Sequence, residues 1–164
     1  MNMGITRASS RDAQAIVAVK DKVWPENHTA ADDIAAVIEQ PDHVTLIARF
    51  DDQPVGFVDG FTTLAQDGTC RWEVDLLAVY PAYTRRGIAH ALVEASTEAG
   101  RQMGATVARG LVEVNNIASQ RTFAGCGYQP SRAVCSLYIA SGLAGGDNPD
   151  EAEGAYTVAV QTLN

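Results

Sequence analysis

Residues 72–95 read WEVDLLAVYPAYTRRGIAHALVEA, and the apolar period changes inside them. Residues 71–80 are apolar and β-branched with polar positions interleaved, which is the pattern of a strand. Tyr80-Pro81 ends that strand, because proline has no N–H to give a ladder. Residues 82–85 make a short loop. From Arg86 to Ala99 the apolar Ile88, Leu92 and Val93 recur at helical spacing, so a long helix is expected there. A strand that turns directly into a helix presents unpaired N–H groups and the positive end of the helix dipole at Gly87, Ile88 and Ala89. Gly87 and the small Ala89 let oxygens approach the backbone, and Arg85 with Arg86 adds positive charge in an otherwise acidic chain. We read the segment as an anion site of the kind that holds a pyrophosphate. The plainer reading is a helix-start glycine beside a solvated arginine pair. The order strand, proline, loop, Arg-Gly-small, helix favours the anion site, because it supplies the context that a lone motif lacks.

Working upstream, residues 3–8 are a short strand candidate, and Ser9 or Ser10 caps a helix over residues 11–23 that turns Ile16, Val19 and Val23 to one side. Pro25 breaks it. A second helix starts at Thr29 or Asp32, carries Ile34, Val37 and Ile38 on one face, and stops at Pro41. Residues 44–50 and 55–63 form a hairpin around Asp51-Asp52-Gln53-Pro54, and the turn Gln66-Asp67-Gly68 leads into the strand over 71–80. Downstream, residues 100–104 close the long helix and residues 106–114 form a strand. Residues 116–124 form a helix capped by Asn116, Gly125 and Gly127 end it, and a strand runs from Tyr128 to about Ala140. Residues 141–154 are a loop rich in Gly, Asp and Glu, and residues 155–163 are a last strand. The order β-α-α-β-β-β-α-β-α-β-β predicts an α/β (α+β) fold, a single domain over residues 1–164.

The chain has 164 residues, 46% hydrophobic and 20% charged, enough to bury one core and unlike a disordered or disulfide-stapled chain. A net charge of −8 repels phosphate backbones and argues against nucleic-acid binding. Cys70, Cys126 and Cys135 are odd in number, form no CxxC pair, and read as reduced thiols of a cytoplasmic protein. His28, His43 and His90 lie far apart in sequence, so no metal site is expected. The start of the chain lacks a secretory pattern, and no run is long enough to span a membrane.

The residues around the loop resemble the GCN5-related N-acetyltransferase (GNAT) family. Its acetyl-CoA signature is Arg/Gln-x-x-Gly-x-Gly/Ala after a strand ending Leu-x-Val-x-Pro. Here these read Leu77-Ala78-Val79-Tyr80-Pro81 and Thr84-Arg85-Arg86-Gly87-Ile88-Ala89. Thr84 departs from the family's Arg or Gln, with Arg85 the candidate to replace the missing charge. A second family motif, Asn-x-x-Ala/Ser-x-x-x-Tyr/Phe followed by Gly-Phe/Tyr, is matched by Asn116, Ser119, Phe123 and Gly127-Tyr128. The element order matches over essentially the whole chain. The resemblance implies a mixed, mostly antiparallel central sheet of about six or seven strands with helices on both faces. It also implies a bulge that splays one strand from its parallel neighbour, with acyl-CoA in the gap.

By the same resemblance, the cofactor is acetyl-CoA, held by Leu77, Ala78, Val79, Thr84, Arg85, Arg86, Gly87, Ile88, Ala89, Asn116 and Phe123. The reaction is transfer of acetyl to a primary amine of a small molecule or peptide. The alternative is a non-catalytic acyl-CoA sensor on the same fold, and a third possibility is another acyl group or acceptor. A carboxylate can take the amine proton. Glu73 and Asp75 are the candidates, sharing a strand face with Leu77 and Val79 unless the bulge shifts the alternation, while Trp72, Val74 and Leu76 face the core. Both carboxylates also fit a solvated strand face. Asn116 equally fits a simple helix cap. Phe123 stands where many relatives have a tyrosine acid, so Tyr128 and Tyr138 are the named replacements. Cys126 lies between glycines with no histidine near it in sequence, which argues against a covalent step. Asp147, Asp150, Glu151 and Glu153, with Glu26, Asp32 and Asp33, favour a cationic amine if they flank the cleft, or form a solvated acidic loop. A homodimer is expected from the family alone.

Overall fold

The computed structural model describes residues 3–131 and 156–163. Strand β1 (Met3–Arg7) is followed by a 3-10 turn (Ser10–Asp12) and helix α1 (Ala13–Val23). The Asp12 carboxylate accepts the Ser9 backbone N–H at 2.8 Å, a capping box that fixes the chain's entry into α1. Helix α2 (Ala31–Ile38) leads to β2 (His43–Phe50), β3 (Gln53–Leu64) and β4 (Cys70–Val79). Then come a 3-10 turn (Pro81–Tyr83), α3 (Ile88–Gln102), β5 (Val107–Glu113), α4 (Ile117–Gly125), β6 (Gln129–Ser131) and β7 (Tyr156–Thr162).

The strands form one seven-stranded sheet in the order β1-β2-β3-β4-β5-β7-β6. Among the described residues, only β4 and β5 run parallel, and every other neighbouring pair is antiparallel. Helices cover both faces. Trp72, Val74, Leu92, Val93 and Phe123 belong to the core under α3 and α4. Ile16, Val19, Ile34, Phe57 and Ala78 belong to the core under α1 and α2. This is the expected mixed sheet. Of the strand read from Tyr128 to Ala140, residues 129–131 are strand and Tyr128 precedes them; residues 132–140, with Cys135 and Tyr138, and the acidic loop over 141–154 lie outside the described residues.

The long helix differs from its expected ends. It begins at Ile88 rather than Arg86, because Arg85 and Gly87 take left-handed backbone angles, φ 59° and 78°. It also runs through Gly100 instead of closing there. Gly100 is in the helix to make room: a Cβ on it would meet the Trp72 ring at 2.3 Å. Gly60 serves the opposite side, where a Cβ would lie 2.4 Å from the same ring. The indole is fully buried between them and donates to Ser96 Oγ at 3.0 Å.

The expected bulge falls in β4. Val58 pairs with Leu77 and Gly60 with Val74, so Asp59 alone faces Asp75 and Leu76. The strand pair then opens. β4 pairs with β5 only from Arg71↔Val107 to Val74↔Gly110, while β5 continues its ladder with β7 to Glu113. The extra residue also inverts the side-chain alternation. Leu77 and Val79 join Trp72 and Val74 on the α3 side, and Leu76 joins Ala78 on the α1 side. The simple alternation, which grouped Leu77 and Val79 with Glu73, fails at this point because a bulge adds one residue to a period of two.

Candidate active site

The opening between β4 and β5 is a cleft of about 280 Å³, walled by Asp75, Leu77, Val112, Asn116 and Phe123, with Trp24 from the end of α1. The β4 backbone past Val74 has no ladder partner on the β5 side. Its N–H and C=O groups on that edge are open to an extended ligand or to a polarised carbonyl oxygen. Asn116 caps α4, its Oδ1 accepting Ser119 N–H at 3.0 Å, and lines the cleft as well, so the cap and the site residue are one side chain. Phe123 is buried, and its ring occupies the space that Gly110 leaves in β5, where a Cβ would approach within 2.6 Å.

Beyond β4 lies the loop expected to hold an anion, between the 3-10 turn and the start of α3. Thr84 Oγ1 donates to the Pro81 carbonyl at 2.9 Å and closes the 3-10 turn, a structural task in place of the charge expected at that position. Arg85 holds a left-handed φ of 59°, which costs a non-glycine residue about 1 kcal/mol or more. Gly87 takes φ 78°, and nothing lies within 4 Å of where its Cβ would stand. The first bond within α3 is from Ala91 N–H to the Gly87 carbonyl at 3.0 Å, so the amides of residues 88–90 precede it and face outward at the positive end of a fifteen-residue helix. The Arg86 guanidinium lies over the rings of Tyr83, at 5.1 Å, and Phe50, at 5.7 Å, which fixes a cation beside the loop. An open backbone cradle, a helix N-terminus and a fixed guanidinium, joined to a strand edge without a partner, fit the pyrophosphate and amide-rich arm of acetyl-CoA.

The carboxylates take different positions. Glu73 is 6% exposed and committed: Arg109 Nε donates to both its oxygens at 3.1 and 3.2 Å, Arg109 Nη2 also donates to it, and Thr63 Oγ1 donates at 2.9 Å. Asp75, on the bulge, is open to the cleft. Solvent reaches it, yet the protein packed around the bulge desolvates it and raises its pKa, Glu73 adding to the rise and His43 opposing it.

Sequence reading missed the group behind Asp75. Asp59 is buried, and burial pushes its carboxyl up to about 6, with Thr45 and His43 opposing and Asp75 adding. Thr45 Oγ1 donates to Asp59 Oδ1 at 2.6 Å, and His43 Nε2 stands 3.9 Å from Asp59 Oδ2. The available signal was the lone aspartate inside the apolar run Val55–Phe61, VGFVDGF. Arg109 was missed likewise, an isolated arginine in a buried strand.

Tyr128 is 3% exposed, and its hydroxyl is 2.6 Å from Thr97 Oγ1, which itself donates to the Val93 carbonyl. The phenol proton is therefore given to Thr97, and burial pushes the pKa up to about 12. The ring meets Phe123 edge-on at 5.0 Å. The structure thus brings Asp75, Asn116 and Phe123 to one cleft and holds the Tyr128 hydroxyl in the core. Cys126 does have a histidine neighbour in space: Sγ is 3.4 Å from His90 Nδ1, and His90 Nε2 is 3.3 Å from Glu94. Burial, with Glu94 adding, pushes the thiol up to about 11, the opposite of activation.

Comparison with known proteins agrees with this geometry. The sequence model of the "Acetyltransferase (GNAT) family" matches residues 13–128. Among curated proteins none matches the chain. Among solved structures, the fold is similar to a PaiA N-acetyltransferase from Thermoplasma acidophilum in complex with coenzyme A, TM-score 0.74 at 15% identity, covering 99% of this chain and all of that one. It is similar to a chain of the NatC complex bound to Gag peptide and CoA, TM-score 0.76 at 17% identity, covering all of both chains. It is also similar to AAC(6')-Iy in complex with a bisubstrate analogue, CoA-S-monomethyl-acetylneamine, TM-score 0.71 at 19% identity, covering 79% of this chain and 92% of that one. Among the described residues, no helix is long and apolar enough to cross a membrane.

Proposed function

The chain belongs to the acetyltransferase (GNAT) family, and from that premise we propose that it transfers acetyl from acetyl-CoA directly to a primary amine at the β4–β5 cleft. The observation that carries this reading is the continuous path from the cradle at Gly87, along the unpaired edge of β4, to the open carboxylate of Asp75. Acetyl-CoA supplies an activated acyl group on a thiol leaving group. Residues 87–89 with Arg85 and Arg86 hold its phosphates, Leu77, Ala78 and Val79 offer backbone to its amide arm, and Asn116 and Phe123 form the far wall. The unpaired N–H groups after the bulge polarise the thioester carbonyl.

Asp75 is the proton acceptor in this reading. Of the two candidate carboxylates Glu73 and Asp75 it is the one that lines the cleft, and its raised pKa makes it a stronger base than an ordinary aspartate. Glu73, held by Arg109 and Thr63, positions β4 against β5 one pair before they part. The acidic lining at Asp75 and Glu113 suits a cationic amine. Named neighbours include complexes with a peptide and with an aminoglycoside-derived bisubstrate, which supports an amine on a small molecule or peptide. The test is release of CoA thiol with a panel of spermidine, neamine and a trialanine peptide. Turnover with at least one, reduced about 100-fold or more in Asp75→Asn at unchanged acetyl-CoA affinity, is the expected result. Acetyl-CoA binding without turnover on any of them would favour the sensor reading, which the threonine at Thr84 and the phenylalanine at Phe123 otherwise keep alive.

A further inference from the structure

We propose that Asp59 and His43 form the exit path for the proton released by acetyl transfer, a role that rests on the function proposed above. The balance of the reaction requires such a path. An ammonium acceptor first loses one proton. Its nitrogen lone pair then forms the C–N bond to the acetyl carbon as the C–S bond breaks, and that bond's electron pair goes to sulfur. The second nitrogen proton ends on the thiolate. The sum is an amide, a thiol and one free proton, which starts on Asp75 and has to reach solvent while the reactants displace water from the cleft.

The structure supplies a route on the far side of the bulge. Asp59 is the single residue opposite Asp75 and Leu76, on the neighbouring strand. Its Oδ1 is occupied by the Thr45 hydroxyl, which leaves Oδ2 toward His43 Nε2 at 3.9 Å, a gap that one water or a small rotation closes. The other imidazole nitrogen, Nδ1, is 3.0 Å from Asp42 Oδ1. Asp42 is held below the ordinary carboxylate range by that bond, so it accepts Nδ1–H and leaves Nε2 as the basic nitrogen facing Asp59. His43 stacks on Phe61 at 5.0 Å and its side chain is 20% exposed, so the ring spans the distance from a buried carboxyl to water.

The charged groups around this pair are few. Asp75 and Glu73 face it from β4, and Arg109 from β5 is bound to Glu73. Asp42 lies just before β2, and Arg7 from β1 donates to the His43 backbone carbonyl at 3.3 Å. A carboxyl buried among them and shifted to about 6 exchanges protons near neutrality, as a relay group must. An ordinary surface aspartate would be permanently ionised there.

The test uses the full chain, wild type beside Asp59→Asn and His43→Gln, with acetyl-CoA and the amine from the panel that turns over. Both variants are expected to lower kcat about 10-fold at neutral pH with the KM for acetyl-CoA unchanged. Added imidazole restores His43→Gln but not Asp59→Asn. Without any substrate, Asp59→Asn moves the His43 ring resonances at pH 7.5, because the carboxylate beside Nε2 is lost. Wild-type kcat and an unshifted pH profile in both variants, with the wild type active, would overturn the relay alone. Absence of turnover in the wild type on every amine would overturn the transferase reading and the relay with it.

Discussion

Asp59 sits in a strand where its neighbours are Val58 and Gly60, and its carboxyl is pushed up from 3.8 to about 6 by burial. The direction has a consequence for stability. Between those two values the folded state holds a proton that the unfolded state has released, so stability falls as pH rises through that window. Asp59→Asn removes the buried charge. It is expected to raise the stability of the protein by on the order of 2 kcal/mol at pH 7.5 and by little at pH 4, measured by urea unfolding at the two pH values. A residue that lowers stability at working pH while its loss lowers kcat is what a trade of stability for activity requires. Glu73 carries the opposite expectation. Glu73→Gln leaves the buried Arg109 guanidinium without its counter-charge and should destabilise by about 3 kcal/mol, and Glu73→Gln with Arg109→Met should recover most of that. Loss of activity in Glu73→Gln is therefore to be read against its melting curve. Cys126, with its thiol near 11, should resist iodoacetamide at pH 7.5, checked by peptide mass mapping, and Cys126→Ala should keep acetyl-CoA affinity.

At the scale of the element, β4 organises both halves of the site. Its bulge sets Asp75 at the cleft, frees the strand edge and inverts the alternation, and its Trp72 anchors it to α3. Gly100→Ala tests that anchor. In an exposed helix this change gains about 1 kcal/mol from propensity. Here the methyl group would stand 2.3 Å from the Trp72 ring, and overpacking of about 1–3 kcal/mol outweighs the gain, so a lower melting temperature is expected. These features also mark what the sequence disclosed. The strand, the loop and the helix after it were readable because period, proline and glycine are local signals. The bulge position was not, since a two-residue period gives no sign of one inserted residue until pairing partners are known. For the same reason Asp59 and Arg109 escaped notice and His43 was read only as an isolated histidine: their partners lie across strands, at sequence separations that no motif spans. Tyr128 was named as an acid by its type, and its commitment to Thr97 depends on how α3 packs.

At the scale of the whole molecule, the sheet separates two tasks. The face under α3 and α4 is closed by Trp72, Phe123 and Tyr128 and belongs to the core. The face under α1 and α2 carries the polar groups His43, Asp59 and Glu73 beside the cleft, and Trp24 from α1 reaches its wall. The two motifs at residues 84–89 and 116–128 were legible as a pair because they flank the parallel strand pair β4–β5. The central claim is that this pair of strands holds acetyl-CoA. The most direct measurement is calorimetric titration of acetyl-CoA into the wild-type chain and into Gly87→Trp, which keeps the core intact, strains a left-handed position and fills the open space of the cradle. Micromolar binding at one site in the wild type, lost in the variant, is the predicted result. No binding to the wild type, or equal binding to both, would contradict it.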